Sequence, residues 1–219
     1  NSKWLCILHD DDILYPNYIE VVSKYTNNEN MGIFGVYNEK YDQRDNDQRL
    51  SVTGKSSLMS KLINMFIKAR QGKPIPLTFK DAIEGRYIMP CATLLNKRKV
   101  HEIGGFDESY FPIADIVLYT KMSFYYNVAF IPLYLAKYRI AVNESLNMDT
   151  KRKFPIFTYK FTEQLCKELG YNSIKIRKKS LHNAISSGGL SIISQDMKDD
   201  SVIKTLEINR RIYTSFSNK

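Results

Sequence analysis

The stretch Trp4-Leu5-Cys6-Ile7-Leu8, followed at once by His9-Asp10-Asp11-Asp12 and then by Ile13-Leu14-Tyr15-Pro16, limits what this chain can become. Five apolar residues are too few for a helix and predict a strand buried on both faces. Three adjacent carboxylates repel one another and are costly unless a cation or several donors offset their charge. In open α/β sheets, ligands bind just beyond the carboxyl ends of the strands. Hard divalent cations take one or two carboxylates there and complete their shell with phosphate and water. The stretch therefore reads as a metal and phosphate site at a strand end, or else as an acidic turn that caps the following helix.

The rest of the chain supplies the pieces of an α/β fold. Pro16 suits the first turn of a helix running to Ser23 or Tyr25, and Met31 to Tyr37 forms a second apolar strand. Strand, helix and strand in this order predict a βαβ unit with parallel pairing. Asn38 to Ser57 is polar and reads as an exposed loop. Leu58 to Arg70 carries apolar pairs at helical spacing. A helical turn follows near Phe79 to Ile83, then a strand from Tyr87 to Leu95 interrupted by Pro90. Lys97 to Ile103 is expected to be a helix closed by Gly104-Gly105. Asp115 to Tyr126 reads as a helix, and Val128 to Tyr138 as one or two strands around Pro132. Beyond these, Phe154, Phe157, Phe161, Leu165 and Leu169 form the stripe of an amphipathic helix ended by Gly170. Two more helices are expected, from Ser173 or Ile174 to Ile185 and from Ser201 to Tyr213.

Charge and cysteine usage narrow the class. The net charge of +9 is concentrated in the tail: residues 1–150 hold 18 Lys/Arg against 17 Asp/Glu, and residues 151–219 hold 14 against 6. That distribution points to an anionic surface near the tail rather than to a nucleic-acid groove. The aromatic stripe beside it suits either peripheral contact with a membrane or packing on the rest of the protein. Cys6, Cys91 and Cys166 are odd in number and far apart, which argues against a disulfide framework or a zinc site and fits a reducing cytoplasm. No apolar run reaches the roughly 20 residues of a membrane span, and no signal peptide is expected.

Three separated motifs carry a resemblance. The first is Leu8-His9-Asp10-Asp11-Asp12-Ile13-Leu14-Tyr15-Pro16. The second is Ile103-Gly104-Gly105-Phe106-Asp107-Glu108 with Ala114-Asp115-Ile116 shortly after it. The third is Tyr138-Arg139 with Asn143-Glu144-Ser145 beyond. In this order, over residues 4–146, they resemble the family 2 glycosyltransferases of the GT-A fold. The resemblance implies a partial GT-A (Rossmann-like) mixed sheet flanked by helices over residues 1–150, with a basic helical extension over 151–219. It implies an inverting transfer from a nucleotide-sugar donor to a hydroxyl on a saccharide or lipid-linked acceptor, as in bacterial polysaccharide or glycolipid synthesis. Asp11 would hold Mg²⁺ or Mn²⁺. Asp10, Asp12 and Arg139 would face the donor and its diphosphate, Asp115 would be the general base, and Asp107 and Glu108 would lie on the acceptor side.

This sequence also departs from the family pattern. His9 stands where relatives often carry an acid, Ala114 where many have an acid before the base, and Ala141 where a histidine is common. Relatives begin with a nucleoside-binding half, and this chain starts on the strand after it. The chain is therefore expected to be a fragment of a longer enzyme, inactive alone, that self-associates through the edge of the strand Trp4–Leu8. The competing class is a basic, non-catalytic interaction domain in which the Asp triplet only caps a helix.

Overall fold

The structure, a computed structural model, describes residues 2–41, 72–86, 88–139, 148–171, 173–182 and 184. The chain divides into two compact units, Asn1–Asp107 with Asp115–Asn143, and Glu108–Ala114 with Glu144–Lys219.

The first unit is a mixed α/β unit built on one sheet. The strand with the longest continuous apolar run is β3 (Met31–Tyr41), whose first six residues are all buried. A strand of that kind needs neighbours on both edges. It is flanked on one side by β5 (Thr93–Asn96), antiparallel, and on the other by β6 (Asn127–Arg139), parallel. The outer positions go to β1 (Trp4–Ile7), antiparallel to β5, and to the two-residue β2 (Ile13–Leu14), antiparallel to β6. A further two-residue strand, β4 (Ile75–Pro76), also pairs antiparallel with β6. The order across the sheet is β1-β5-β3-β6-β2.

This order corrects two expectations. The strand at Trp4–Leu8 is not buried on both faces: β1 sits at an edge, and Leu5 and Leu8 are each 41% exposed. Only Trp4 enters the core, where its ring lies 5.8 Å from Phe34 and its indole N–H donates to the Thr26 carbonyl at 3.0 Å. Nor does β1 pair with β3. The two run in the same direction, but β5 is inserted between them. A short apolar run looks the same in sequence whether its strand is central or at an edge, and the parallel partner of β3 is β6 instead. Among the described residues β1 has one hydrogen-bonded neighbour. Such edges recruit other strands, so light scattering on the 219-residue chain is expected to give a mass above that of a monomer. A monodisperse monomer would contradict this.

Other boundaries move for identifiable reasons. β3 runs four residues into the segment read as a loop, because Asn38 to Tyr41 pair with Ala136 to Arg139. β5 begins at Thr93 rather than Tyr87: Pro90 has no N–H to give a ladder, and its carbonyl instead accepts from Thr93 in a turn that sets Ala92 at a φ of 59°. β6 is one continuous strand. Its pairing with β3 skips Pro132 and Leu133 in a bulge between Ile131 and Tyr134, which is where a strand accommodates proline.

The helices fall near their predicted places. They are α1 (Tyr18–Ser23), α2 (Phe79–Ile83), α3 (Lys97–Glu102) and α4 (Ala114–Tyr125). A reciprocal capping box between Thr78 and Asp81 starts α2. The Asn96 side chain caps α3, and Gly104 and Gly105, at φ of 90° and 71°, follow its end. Tyr18 and Val22 of α1 join Trp4, Phe34, Leu94 and Ile131 in one core cluster. Leu118, Tyr119 and Met122 of α4 join Ile33, Leu95 and Val128 in a second.

In the second unit, α5 (Met148–Glu168) begins ahead of the predicted aromatic stripe and carries Pro155 inside it. Phe161 and Leu165 are buried, whereas Phe154 is exposed. Tyr110, from a short 3₁₀ turn at Glu108–Tyr110, meets Phe161 edge-on at 5.6 Å and hydrogen-bonds Gln164. A helical run over 174–182 follows, joined to α5 by the Arg177–Glu163 ion pair. Phe161 thus packs within its own unit. The helices expected at Leu58–Arg70 and Ser201–Tyr213 lie outside the described residues. Among the described residues no helix is long and apolar enough to cross a membrane.

Candidate metal centre at the end of the sheet

β1 and β2 lie at opposite edges of the sheet, so the chain between them must cross its end. That crossing is the acidic run. It is tightened by a turn in which the Asp12 N–H donates to the His9 carbonyl at 3.2 Å. The run thereby meets the last residues of both parallel strands, Tyr41 of β3 and Arg139 of β6.

His9, Asp11 and Asp12 come together here, with one potential ligand atom of each within 4.8 Å of the others. The Asp12 carboxylate is wholly buried. Its Oδ1 accepts from the Arg139 backbone N–H at 3.1 Å, while Oδ2 has no hydrogen-bond partner and lies 3.5 Å from His9 Nδ1. A buried carboxylate oxygen without a donor is costly, and a cation would offset that cost. One imidazole and two carboxylates form a donor set that suits Mn²⁺ better than Mg²⁺, which prefers oxygen alone. The residues present therefore fit a divalent cation.

Arg139 flanks the group. Its Nε donates to the Tyr41 hydroxyl at 3.1 Å, and that hydroxyl donates to the Asp11 carbonyl at 3.0 Å. The bond to Tyr41, aided by the Asp11 and Asp10 carboxylates, holds the guanidinium pKa above its usual value. Behind the turn, burial and then the nearby Asp12 carboxylate push the Cys91 thiol pKa far up, so it stays protonated at neutral pH. The Tyr18 hydroxyl fixes the neighbouring backbone, donating to the Ala92 carbonyl at 2.9 Å and accepting from the Cys6 thiol at 3.3 Å. All three cysteines are free.

Asp115 occupies the first turn of α4 and is half-buried. Burial raises its pKa above the ordinary carboxylate value, against the opposing pull of the Ile116 and Asp115 backbone N–H groups and of His9. One turn on, burial and the Asp115 charge raise the Tyr119 phenol in the same way.

The structure thus gathers Asp11, Asp12 and Arg139 into one constellation and sets Asp115 within the electrostatic reach of His9. Asp12, expected on the donor side, turns inward and joins the cluster, whereas Asp10 is exposed. Asp107 is half-buried after the Gly-Gly turn, and Glu108 is exposed at the start of the 3₁₀ turn. Sequence reasoning weighed His9 only as a departure from a pattern, although its position three residues before Asp12 was a usable signal. Tyr41, one of several tyrosines that could stack on a base or sugar but read as packing residues, lies in sequence within a polar segment that reads as a loop. No protein-family model matches the chain, and comparison with curated proteins finds no match.

Proposed function

We propose that the chain belongs to an inverting, metal-assisted glycosyltransferase that moves a sugar from a nucleotide-sugar donor to a hydroxyl on a saccharide or lipid-linked acceptor, on a GT-A-type architecture. The observation that carries this reading is the His9–Asp11–Asp12 group, with its orphaned Asp12 oxygen beside Arg139 at the end of a mixed sheet. The order of the three sequence motifs supports it.

A divalent cation held by these side chains would supply positive charge against a diphosphate leaving group. Arg139 offers further N–H donors to phosphate oxygens. In the transfer, the acceptor oxygen bonds to the anomeric carbon from the face opposite the leaving group, and the bond to the diphosphate oxygen breaks. The acceptor proton passes to Asp115. Its raised pKa makes it a stronger base than an exposed aspartate. Asp10, exposed at the turn, faces the donor, and Asp107 and Glu108 serve the acceptor side.

Calorimetry with Mn²⁺ and a nucleoside diphosphate tests the reading. Metal-dependent diphosphate binding by the full-length enzyme is expected, weakened by Asp11→Ala. Unchanged affinity in that variant, with and without metal, would remove Asp11 from the site. Undetectable Mn²⁺ binding together with strong, salt-sensitive binding to anionic vesicles would favour a non-catalytic interaction module.

A further inference from the structure

The cation-binding turn and the guanidinium beside it are joined through one side chain. Tyr41 pairs with Arg139 in the register of β3 and β6, so the two strand ends fix where its hydroxyl stands. That hydroxyl has a single proton, committed to the Asp11 carbonyl at 3.0 Å, and its lone pairs receive Arg139 Nε–H at 3.1 Å. Arg139 is tied to the same turn a second time, by its backbone N–H to Asp12 Oδ1 at 3.1 Å. With Nε engaged, the four N–H donors on the outer nitrogens of the guanidinium remain for an anion.

We propose that Tyr41 is a positioning residue that couples cation binding at His9, Asp11 and Asp12 to anion binding at Arg139. This rests on the function proposed above and adds to it a route by which the two charges are felt together. Hydrogen bonds in series polarise one another. The guanidinium draws on the Tyr41 oxygen and strengthens its O–H as a donor to the Asp11 carbonyl. The turn carrying all three cation-binding side chains is thereby held to the group that receives the phosphate. Ordering either side orders the other, and such coupling is reciprocal. Phenylalanine at position 41 keeps the ring, whose centroid lies 5.8 Å from the Arg139 guanidinium carbon, and removes only the hydroxyl.

The test is Mn²⁺ titration with and without saturating inorganic phosphate, on wild type, Tyr41→Phe and Arg139→Lys. The readout is the factor by which phosphate tightens Mn²⁺ binding. Direct attraction between the two ions contributes equally in wild type and Tyr41→Phe, because that substitution changes no charge. Tyr41→Phe is expected to lower the coupling factor at least threefold with unchanged circular dichroism, a result that loss of general stability would not produce. Arg139→Lys keeps the charge but not the fork, and its coupling is expected to fall as well. Wild-type coupling in Tyr41→Phe overturns the proposal while leaving the proposed function standing. Absence of Mn²⁺ binding in the wild type overturns both.

Discussion

In the full-length enzyme, replacing Asp115 with asparagine is expected to cut turnover by about 10²-fold or more while leaving Mn²⁺ binding at the His9 cluster intact. Asparagine occupies the same space in the first turn of α4 but cannot take a proton from an acceptor hydroxyl. The substitution should spare stability, for a reason that lies in the sign of the pKa shift. Burial raises the folded-state pKa of Asp115. As pH rises from the ordinary carboxylate value to that raised value, the unfolded chain gives up its proton first, and the folded state loses ground. Above the raised value the cost is constant. Asparagine removes it, so above that value the melting temperature should hold or rise as turnover falls. The same shift sets the acid limb of the rate profile, which should fall off at a higher pH than an exposed aspartate would give. Turnover within a few-fold of wild type would rule Asp115 out as the base. A large loss of melting temperature would mean its charge stabilises the fold.

Asp12→Asn should separate cation binding from folding even more sharply. The amide oxygen can still accept from the Arg139 N–H, so the tie between the turn and β6 survives. What disappears is a negative charge on a wholly buried group whose second oxygen has no hydrogen-bond partner. Without metal, the variant should be at least as stable as the wild type, because a buried charge with one oxygen lacking a hydrogen bond is more costly than a neutral amide. With metal, it should lose at least the roughly 10–100-fold in affinity that follows loss of even an outer-shell partner. Titration with Mn²⁺ alongside thermal melts of the metal-free protein reads both effects. Wild-type Mn²⁺ affinity would exclude Asp12 as a ligand. A destabilised metal-free variant would mean that the buried carboxylate is already compensated.

The acidic run, the helix at Lys97–Glu102 and the helix at Ala114–Tyr125 were legible from sequence because each is written locally. A pair of glycines and a helical run mark their own boundaries. The placement of β1 was not legible. Whether an apolar pentapeptide lies in the middle of a sheet or at its edge depends on partners more than 80 residues away, here Thr93–Asn96. The strand position of Tyr41 was hidden for a related reason. Asn38 to Tyr41 have a loop's composition and become strand only because β6 continues alongside them. Asp12 was visible as an acid, but its inward turn is set by the Arg139 backbone, 127 residues further on. Residue types were thus readable, and the long-range pairings that orient them were not.

The passage of residues 8–12 from one edge of the sheet to the other has a mechanical consequence. It makes the acidic turn a clasp drawn across the ends of β5, β3 and β6. An ion gripped by that clasp would resist separation of the two margins it joins, although it touches neither strand's hydrogen-bond ladder. Amides in β1, which sit on a margin with one neighbour and would otherwise fray first, would exchange with solvent more slowly as metal is added. The retardation would follow the logarithm of metal concentration above the dissociation constant. An edge strand would in this way report on a charge held at its far end.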